Sequence, residues 1–299
     1  MRDVVVIGAG IAGVTAALYL KRANKDVLLI EKGMVGGIIN KTSLINNYPT
    51  INSITGPDFS NMLLDQVMHN NIDIRFATVI SVENKIDKKI VHLKNETIEC
   101  KYLVLATGKE VRKLAVDGEE EYYGHGISYC ALCDGPLYKD KNVAVIGTGT
   151  SALEEALYLS NICKTVTILA KYDYFKANEE LIHEVESKDN IQVLYSSIVS
   201  KFVGKNKKIM SIEYIYKNKK NKLKIDGVFI YIGSTPNIID GLNLELDNNY
   251  IKVNENMETS ISGIYAVGDV IKKDVYQLVT ASNDGAIAAN NIIKELREL

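Results

Sequence analysis

A duplication restricts what this chain can fold into. Residues 4–13 read VVVIGAGIAG and residues 143–152 read VAVIGTGTSA, so that Gly8, Gly10 and Gly13 recur as Gly147, Gly149 and Ala152, each 139 positions on. In both copies the Gly-rich turn is followed by an Ala/Leu-rich stretch with the spacing of a helix of about four turns. A second apolar run then follows, VLLIE ending at Glu31 in the first copy and VTILA ending at Ala170 in the second. Uninterrupted apolar runs predict strands buried on both faces, as in a parallel sheet. The first glycine of such a unit permits the tight turn, and the second lets backbone N–H groups approach a pyrophosphate. The third position lets the helix pack on the strand. The phosphate then rests on the positive helix N-terminus. A lone G-x-G-x-x-G is weak, but in its strand–turn–helix–strand setting, with Glu31 placed to accept hydrogen bonds from a ribose diol, it predicts a dinucleotide site.

Two further segments point to a flavin dinucleotide. YLVLATG (102–108) places Thr107 and Gly108 at a strand C-terminus, and GIYAVGDV (263–270) places Gly268 and Asp269 after another short strand. The Asp269 carboxylate suits a ribityl hydroxyl or a water bridge to phosphate. Residues 277–296, QLVTASNDGAIAANNIIKEL, predict a small-residue, amphipathic closing helix. The expected fold is α/β, with two Rossmann-like three-layer dinucleotide-binding domains. Residues 1–113 with 243–299 form a discontinuous FAD-binding domain, and residues 114–242 form an inserted NAD(P)-binding-like domain.

Composition excludes more than it proposes. The chain has 299 residues, room for about two domains. Its 35 basic and 37 acidic residues nearly cancel, so charge points to neither nucleic acid nor a membrane surface. Residues 4–20 are uncharged, yet three glycines interrupt them and Met1-Arg2-Asp3 is a poor basic leader. A cytoplasmic protein is expected. Cys100 and Cys163 stand alone among apolar residues and are taken as structural. Cys130 and Cys133 form a C-x-x-C pair with no second pair and no paired histidines to complete a zinc site, so redox chemistry is expected and a metal is not. Asp134 follows at once, placed to exchange a proton with a thiolate or a flavin. Asp-Gly-Pro is also turn chemistry, but a turn with two incidental cysteines is a poor account beside two dinucleotide units.

These residues resemble the low-molecular-weight thioredoxin reductases over essentially the whole chain. CALCDG (130–135) is similar to the family's C-A-T-C-D-G. Other similar segments are VIGAGIAG, the Gly36–Gly37 pair of GMVGGI, NNYP with Asn47, ATG, IGSTPN, GIYAVGDV and QLVTASNDGAIAA. The resemblance implies bound FAD, a homodimer and a domain rotation that alternates the dithiol between flavin and partner. It implies that Cys133 lies against the flavin, that Cys130 attacks the thioredoxin disulfide and that Asp134 is the acid. Its cofactor-binding set is Gly8, Gly10, Ala12, Gly13, Glu31, Lys32, Gly36, Gly37, Ile38, Asn47, Ala106, Thr107, Gly108, Gly268, Asp269, Gln277 and Leu278.

The second unit departs from the family. NADPH-using relatives carry H-R-R and a further Arg after the strand that here ends at Ala170; this chain reads AKYDYFK over 170–176. Arg grips a 2′-phosphate bidentately and Lys only as a flexible point charge. An acid suited to NADH is missing at 170 as well, and Thr148 and Thr150 alter the Gly-rich turn. Three readings stay open: NADPH held by Lys171 and Lys176, reduced ferredoxin as donor, or a dithiol oxidase of the same fold. The chain resembles the ferredoxin-dependent flavin thioredoxin reductases in lacking the pyridine-nucleotide motifs. A ferredoxin near −400 mV reducing a thioredoxin near −270 mV would release about 6 kcal/mol. Flavin would adapt single electrons to a pair. The lysine-rich stretches 201–208 and 217–224 offer a face for an acidic partner, or simply a solvated hairpin. The expectation is a thioredoxin reductase with ferredoxin as donor, and NADPH is the alternative.

Overall fold

The computed structural model describes residues 1–42 and 44–298. By its contacts the chain divides into two units, Met1–Glu110 with Thr235–Leu299, and Val111–Ser234.

In the first unit the apolar runs form the parallel strands Arg2–Ile7 and Val27–Glu31, joined by the helix Ile11–Arg22. Asp73–Phe76 pairs outside Val27–Glu31, and Thr97–Leu105 pairs on the other side of Arg2–Ile7, both parallel. Thr97–Leu105 serves two further partners. Its first half runs antiparallel to Lys89–Leu93, which pairs in turn with Val79–Asn84. Its last three residues take Ile264–Ala266 as a parallel neighbour and complete a seven-stranded sheet. Alternate side chains face opposite ways, so Val4, Val6, Leu29 and Val104 enter one core while Val5, Leu28, Ile30 and Leu103 enter another.

The helix Ile11–Arg22 buries Ile11, Val14, Ala17 and Leu20, each large side chain worth roughly 1.5–3 kcal/mol of burial. It stops where Asn24 turns left-handed (φ 55°), a conformation Asn tolerates. The long helix Leu278–Glu298 lies against it. A Cβ on Gly285 would sit 2.2 Å from the Ala12 carbonyl oxygen, so only glycine allows this approach.

The second unit repeats the plan in register. Asn142–Ile146 pairs with Thr165–Leu169, setting Val143 opposite Val166. These are Val4 and Val27 of the first unit displaced by 139 (4 + 139 = 143; 27 + 139 = 166). The helix Thr150–Ser160 joins the strands, and Ile191–Leu194 and Gly227–Ile230 flank them in parallel. Ile127–Ser128 forms the edge beside Gly227–Ile230. A separate antiparallel sheet holds Ile198–Lys205, Lys208–Tyr216 and Lys219–Lys224. Its turns, Asn206-Lys207 and Lys217-Asn218, have φ of 53°, 59°, 48° and 60°, the left-handed pairs of two-residue hairpins. The lysine-rich stretch thus ends on an outer strand, where charge discourages edge-to-edge pairing.

The domain boundaries fall at 110/111 and 234/235, whereas 113/114 and 242/243 were expected. The return segment belongs to the first unit because its backbone is bound there. Asn237 N–H donates to the Gly108 carbonyl (2.9 Å), Val82 N–H donates to the Asp240 carbonyl (2.9 Å), and Gly241 presses on Val82.

The duplicated turn yields a test. A Cβ on Gly13 would fall 1.9 Å from the Gly8 oxygen, whereas Ala152 is fully buried without conflict at the matching place. We expect Gly13→Ala to cost about 3 kcal/mol and Ala152→Gly about 1 kcal/mol. Calorimetric melting of the two variants compares them, and equal small losses would contradict the packing account.

Candidate active site

In the first unit Glu31 is buried, and both carboxylate oxygens are anchored. Oε2 accepts the Ala9 N–H and Oε1 the Gly33 N–H, each at 2.8 Å. Each oxygen keeps a second lone pair, which is what a ribose diol requires. The glycines divide the work. Gly8 (φ 104°) and Gly13 are packing positions, pressed on Ala106 and on each other, whereas a Cβ on Gly10 would meet nothing within 4 Å. The helix that starts there has no side-chain cap, so its positive end is bare. Gly36 and Gly37 are both left-handed (φ 99° and 56°), and the Gly36 N–H donates to the Ala9 carbonyl at 2.8 Å. Gly37 and Gly108 also look onto open space. Open backbone at Gly10, Gly37 and Gly108 around a two-oxygen acceptor fits a dinucleotide such as FAD.

The remaining expected residues fall as follows. Asn47 Nδ2 donates to Gln277 Oε1 at 3.1 Å, joining residues 230 apart in sequence. Ala12 and Ala106 are buried and Leu278 packs at the core's margin, so all three are packing positions. Thr107 donates to the Asn237 carbonyl at 2.5 Å. Gly268 (φ 77°) donates its N–H to Asp284 Oδ2 at 3.1 Å. Asp269 lies between Lys109 Nζ (3.8 Å) and Lys273 Nζ (3.9 Å). Ile38 is half exposed, and the exposed Lys32 pairs with Glu110 at 3.5 Å. Lys109, Lys273 and Tyr276 lie outside the segments similar to the family, and Asp284 lies within QLVTASNDGAIAA without being among the expected site residues. Lys109 Nζ sits 3.3 Å from the Tyr276 ring centre, and burial lowers its pKa against the pull of Asp269. Lys273 binds Asp284 at 2.7 Å. Two ammonium groups therefore frame the expected ribityl acceptor.

The dithiol turn belongs to the second unit. Ile127–Ser128 delivers the chain to Cys130, and the single helical turn Ala131–Asp134 carries Cys133. The two cysteines are joined as a disulfide, Cα atoms 5.3 Å apart. Cys130 Sγ accepts the Cys133 N–H at 3.2 Å. Ser128 Oγ donates to Asp134 Oδ2 at 2.6 Å and accepts the Cys130 N–H at 3.0 Å, tying acid and cysteine to one hydroxyl. The Ala131 N–H donates to the Tyr231 hydroxyl at 2.5 Å. Tyr231 in turn bonds Glu155, whose carboxyl is pushed up to about 7 by burial and by neighbouring Glu154, with the Tyr231 bond opposing. Burial pushes the Tyr138 hydroxyl up to about 12, with Asp134 adding to it. Ser128 stands two residues before Cys130, outside CALCDG, and is a site residue the sequence reading does not name. Tyr231, 100 residues from Ala131, had no local signal.

The second Gly-rich turn keeps its opening, since Gly149 faces open space and the helix Thr150–Ser160 has no side-chain cap. Lys176 N–H closes the turn on the Thr148 carbonyl at 2.6 Å. Ala170 is fully buried, its N–H donating to the Leu194 carbonyl at 3.0 Å. Past it, Tyr172 and Tyr174 stack at 5.4 Å, and Lys171 and Lys176 lie 5.7 and 5.2 Å from the Tyr172 ring centre.

Residues 2–285 match the family model of the pyridine nucleotide-disulphide oxidoreductases. The chain belongs to this family. It is 40% identical over 292 residues to a thioredoxin reductase of Ureaplasma parvum, covering 96% of this chain and 94% of that protein. A solved thioredoxin reductase of Streptococcus pyogenes is 36% identical and superposes with a TM-score of 0.96 over 100% of this chain and 99% of that one. A ferredoxin-flavin thioredoxin reductase of Clostridium acetobutylicum is 28% identical, with a TM-score of 0.56 over 100% and 99% of the two chains. The chain is thus an oxidoreductase of thioredoxin reductase type, with FAD as its cofactor and a redox-active disulfide. Among the described residues no helix is long and apolar enough to cross a membrane.

Glu31→Ala removes two backbone anchors and the diol acceptor together. We expect FAD affinity to fall roughly 10- to 100-fold, the worth of one or more hydrogen bonds to a charged group. The flavin-to-protein absorbance ratio after dialysis checks it, and undiminished flavin content would remove Glu31 from the site.

Proposed function

We infer that this chain reduces the disulfide of a thioredoxin, drawing electrons from NADPH by way of FAD and the Cys130–Cys133 pair. The observation that carries the reading is the disulfide itself. It is closed in a turn where Ser128 holds Asp134, in a chain alike over nearly its whole length to thioredoxin reductases. Cys133 receives electrons from the flavin side, Cys130 attacks the partner's disulfide, and Asp134 moves the proton. FAD supplies the conversion between a nicotinamide's electron pair and the dithiol. The reading includes a homodimer working in the cytoplasm.

The donor in this reading is not the ferredoxin expected from the missing arginines. Two observations favour the nicotinamide. The relatives from Ureaplasma parvum and Streptococcus pyogenes carry the plain name thioredoxin reductase. Lys171 and Lys176 also converge on the exposed Tyr172–Tyr174 stack just past Ala170, a cationic and aromatic surface suited to a 2′-phosphate and an adenine. Ala170 reads no nucleotide because it is buried. Ferredoxin stays as the second reading, favoured by the absence of arginine from 170–176 and by the likeness to the Clostridium acetobutylicum structure.

An anaerobic flavin titration separates the two readings. We expect one equivalent of NADPH to bleach the flavin, and bleaching by reduced ferredoxin alone would overturn the donor assignment. The double variant Lys171→Gln/Lys176→Gln is expected to raise KM for NADPH at least about tenfold, the loss of charged hydrogen bonds, with kcat little changed. Cys133→Ser is expected to abolish thioredoxin reduction with FAD still bound, and an active variant would refute its role.

A further inference from the structure

The dithiol turn has a second acid besides Asp134. Tyr231 Oη accepts the Ala131 N–H at 2.5 Å, the first N–H of the helical turn that carries Cys133. The hydroxyl's own proton is left for Glu155, its other partner. Glu155 lies on the helix Thr150–Ser160, which packs against the dithiol turn within the same unit. The backbone between the two cysteines is therefore tied to one hydroxyl, and that hydroxyl acts on a carboxyl of the helix packed against the turn. We propose that Glu155, acting through Tyr231, holds the proton that the reduced Cys130–Cys133 pair gives up when one sulfur stays a thiolate.

The balance is as follows. Dithiothreitol, oxidised to its cyclic disulfide, releases two electrons and two protons. The electrons break the Cys130–Cys133 bond, one proton makes one sulfur a thiol, and the other sulfur remains a thiolate. The second proton passes to the Glu155 carboxylate, where the new negative charge nearby favours it. The carboxyl's titration near neutrality suits this, since burial and Glu154 raise it to about 7. Among the described residues the groups acting on it are Glu154 of its own helix and Tyr231. Tyr158, one turn on, feels Glu155 in return, and Asp134 of the dithiol turn acts on Tyr231. None of these supplies a positive charge that would keep Glu155 ionised beside a thiolate.

The consequence is a bend in the pH dependence of the pair's reduction. Above the Glu155 titration of the disulfide form, and up to its higher titration beside the thiolate, both protons stay on the protein and the equilibrium constant with dithiothreitol is flat. Below it Glu155 is already protonated, one proton goes to water, and the constant falls tenfold per pH unit as the pH drops. The test is a dithiothreitol redox titration of the FAD-loaded protein at a series of pH values around neutrality, read by counting thiols. In Glu155→Gln one proton is always released, so the bend should vanish. Tyr231→Phe removes a bond that lowers the Glu155 pKa, so the bend should move to higher pH. A wild type without a bend, or a bend unchanged in Glu155→Gln, would overturn the proposal. The inference rests on the redox role of the pair. A disulfide that dithiothreitol cannot reduce would refute that role, whereas a reducible one with an unaltered bend refutes only the proton holding.

Discussion

The first unit depends on one close backbone approach. The Gly13 Cα leaves no room for a side chain against the Gly8 oxygen, and Gly8 itself presses on the Ala106 carbonyl. This contact brings the first strand, the first helix and the strand Thr97–Leu105 together at one point. It fixes where the bare helix N-terminus stands and where Gly10 opens to a ligand. It also places the tip of Thr97–Leu105, with Thr107 and Gly108, beside that opening. Interiors pack too densely to absorb even a methyl group at such a place without moving backbone, so ligand geometry and packing are one constraint here.

Electrostatics around this point are arranged in layers. Glu31 presents two acceptors whose orientation the backbone holds, so little ordering is left for binding. Asp269 is balanced by Lys109 and Lys273, and Lys273 is shared with the buried Asp284. The Lys109 ammonium is further supported by the face of Tyr276. A partly buried carboxylate is tolerable only with such partners.

The duplication was legible because its physics is local. A glycine pattern, an apolar run and a helical spacing sit within a few tens of residues, and the strand register reproduces the offset of 139 pair by pair. The disulfide followed from C-x-x-C for the same reason. Partners supplied by distant segments were illegible. Tyr231 reaches the dithiol turn from the end of a strand, Asn237 reaches Thr107 from the return segment, and Gln277 meets Asn47 across most of the chain. The return segment is tied to the first unit by bonds between residues far apart in sequence, Asn237 to Gly108 and Val82 to Asp240, which no local pattern shows. Ala170 misled in a different way. The sequence places it at the end of the apolar run, whereas the strand stops at Leu169 and Ala170 is buried, with exposed side chains beginning one residue later.

The discontinuity of the first unit bears on how the chain is made. Its sheet lacks the strand Ile264–Ala266 and its first helix lacks the cover of Leu278–Glu298 until the far end has been synthesised. Between these parts the ribosome must add the 124 residues from Val111 to Ser234, a span of roughly 6–25 s at ordinary elongation rates. For that time the apolar faces of Ala12, Ala16 and Val104 are open to other chains. The inserted unit, continuous in sequence, can close meanwhile. Birth order and structural order are therefore reversed, and the half that begins first is finished last.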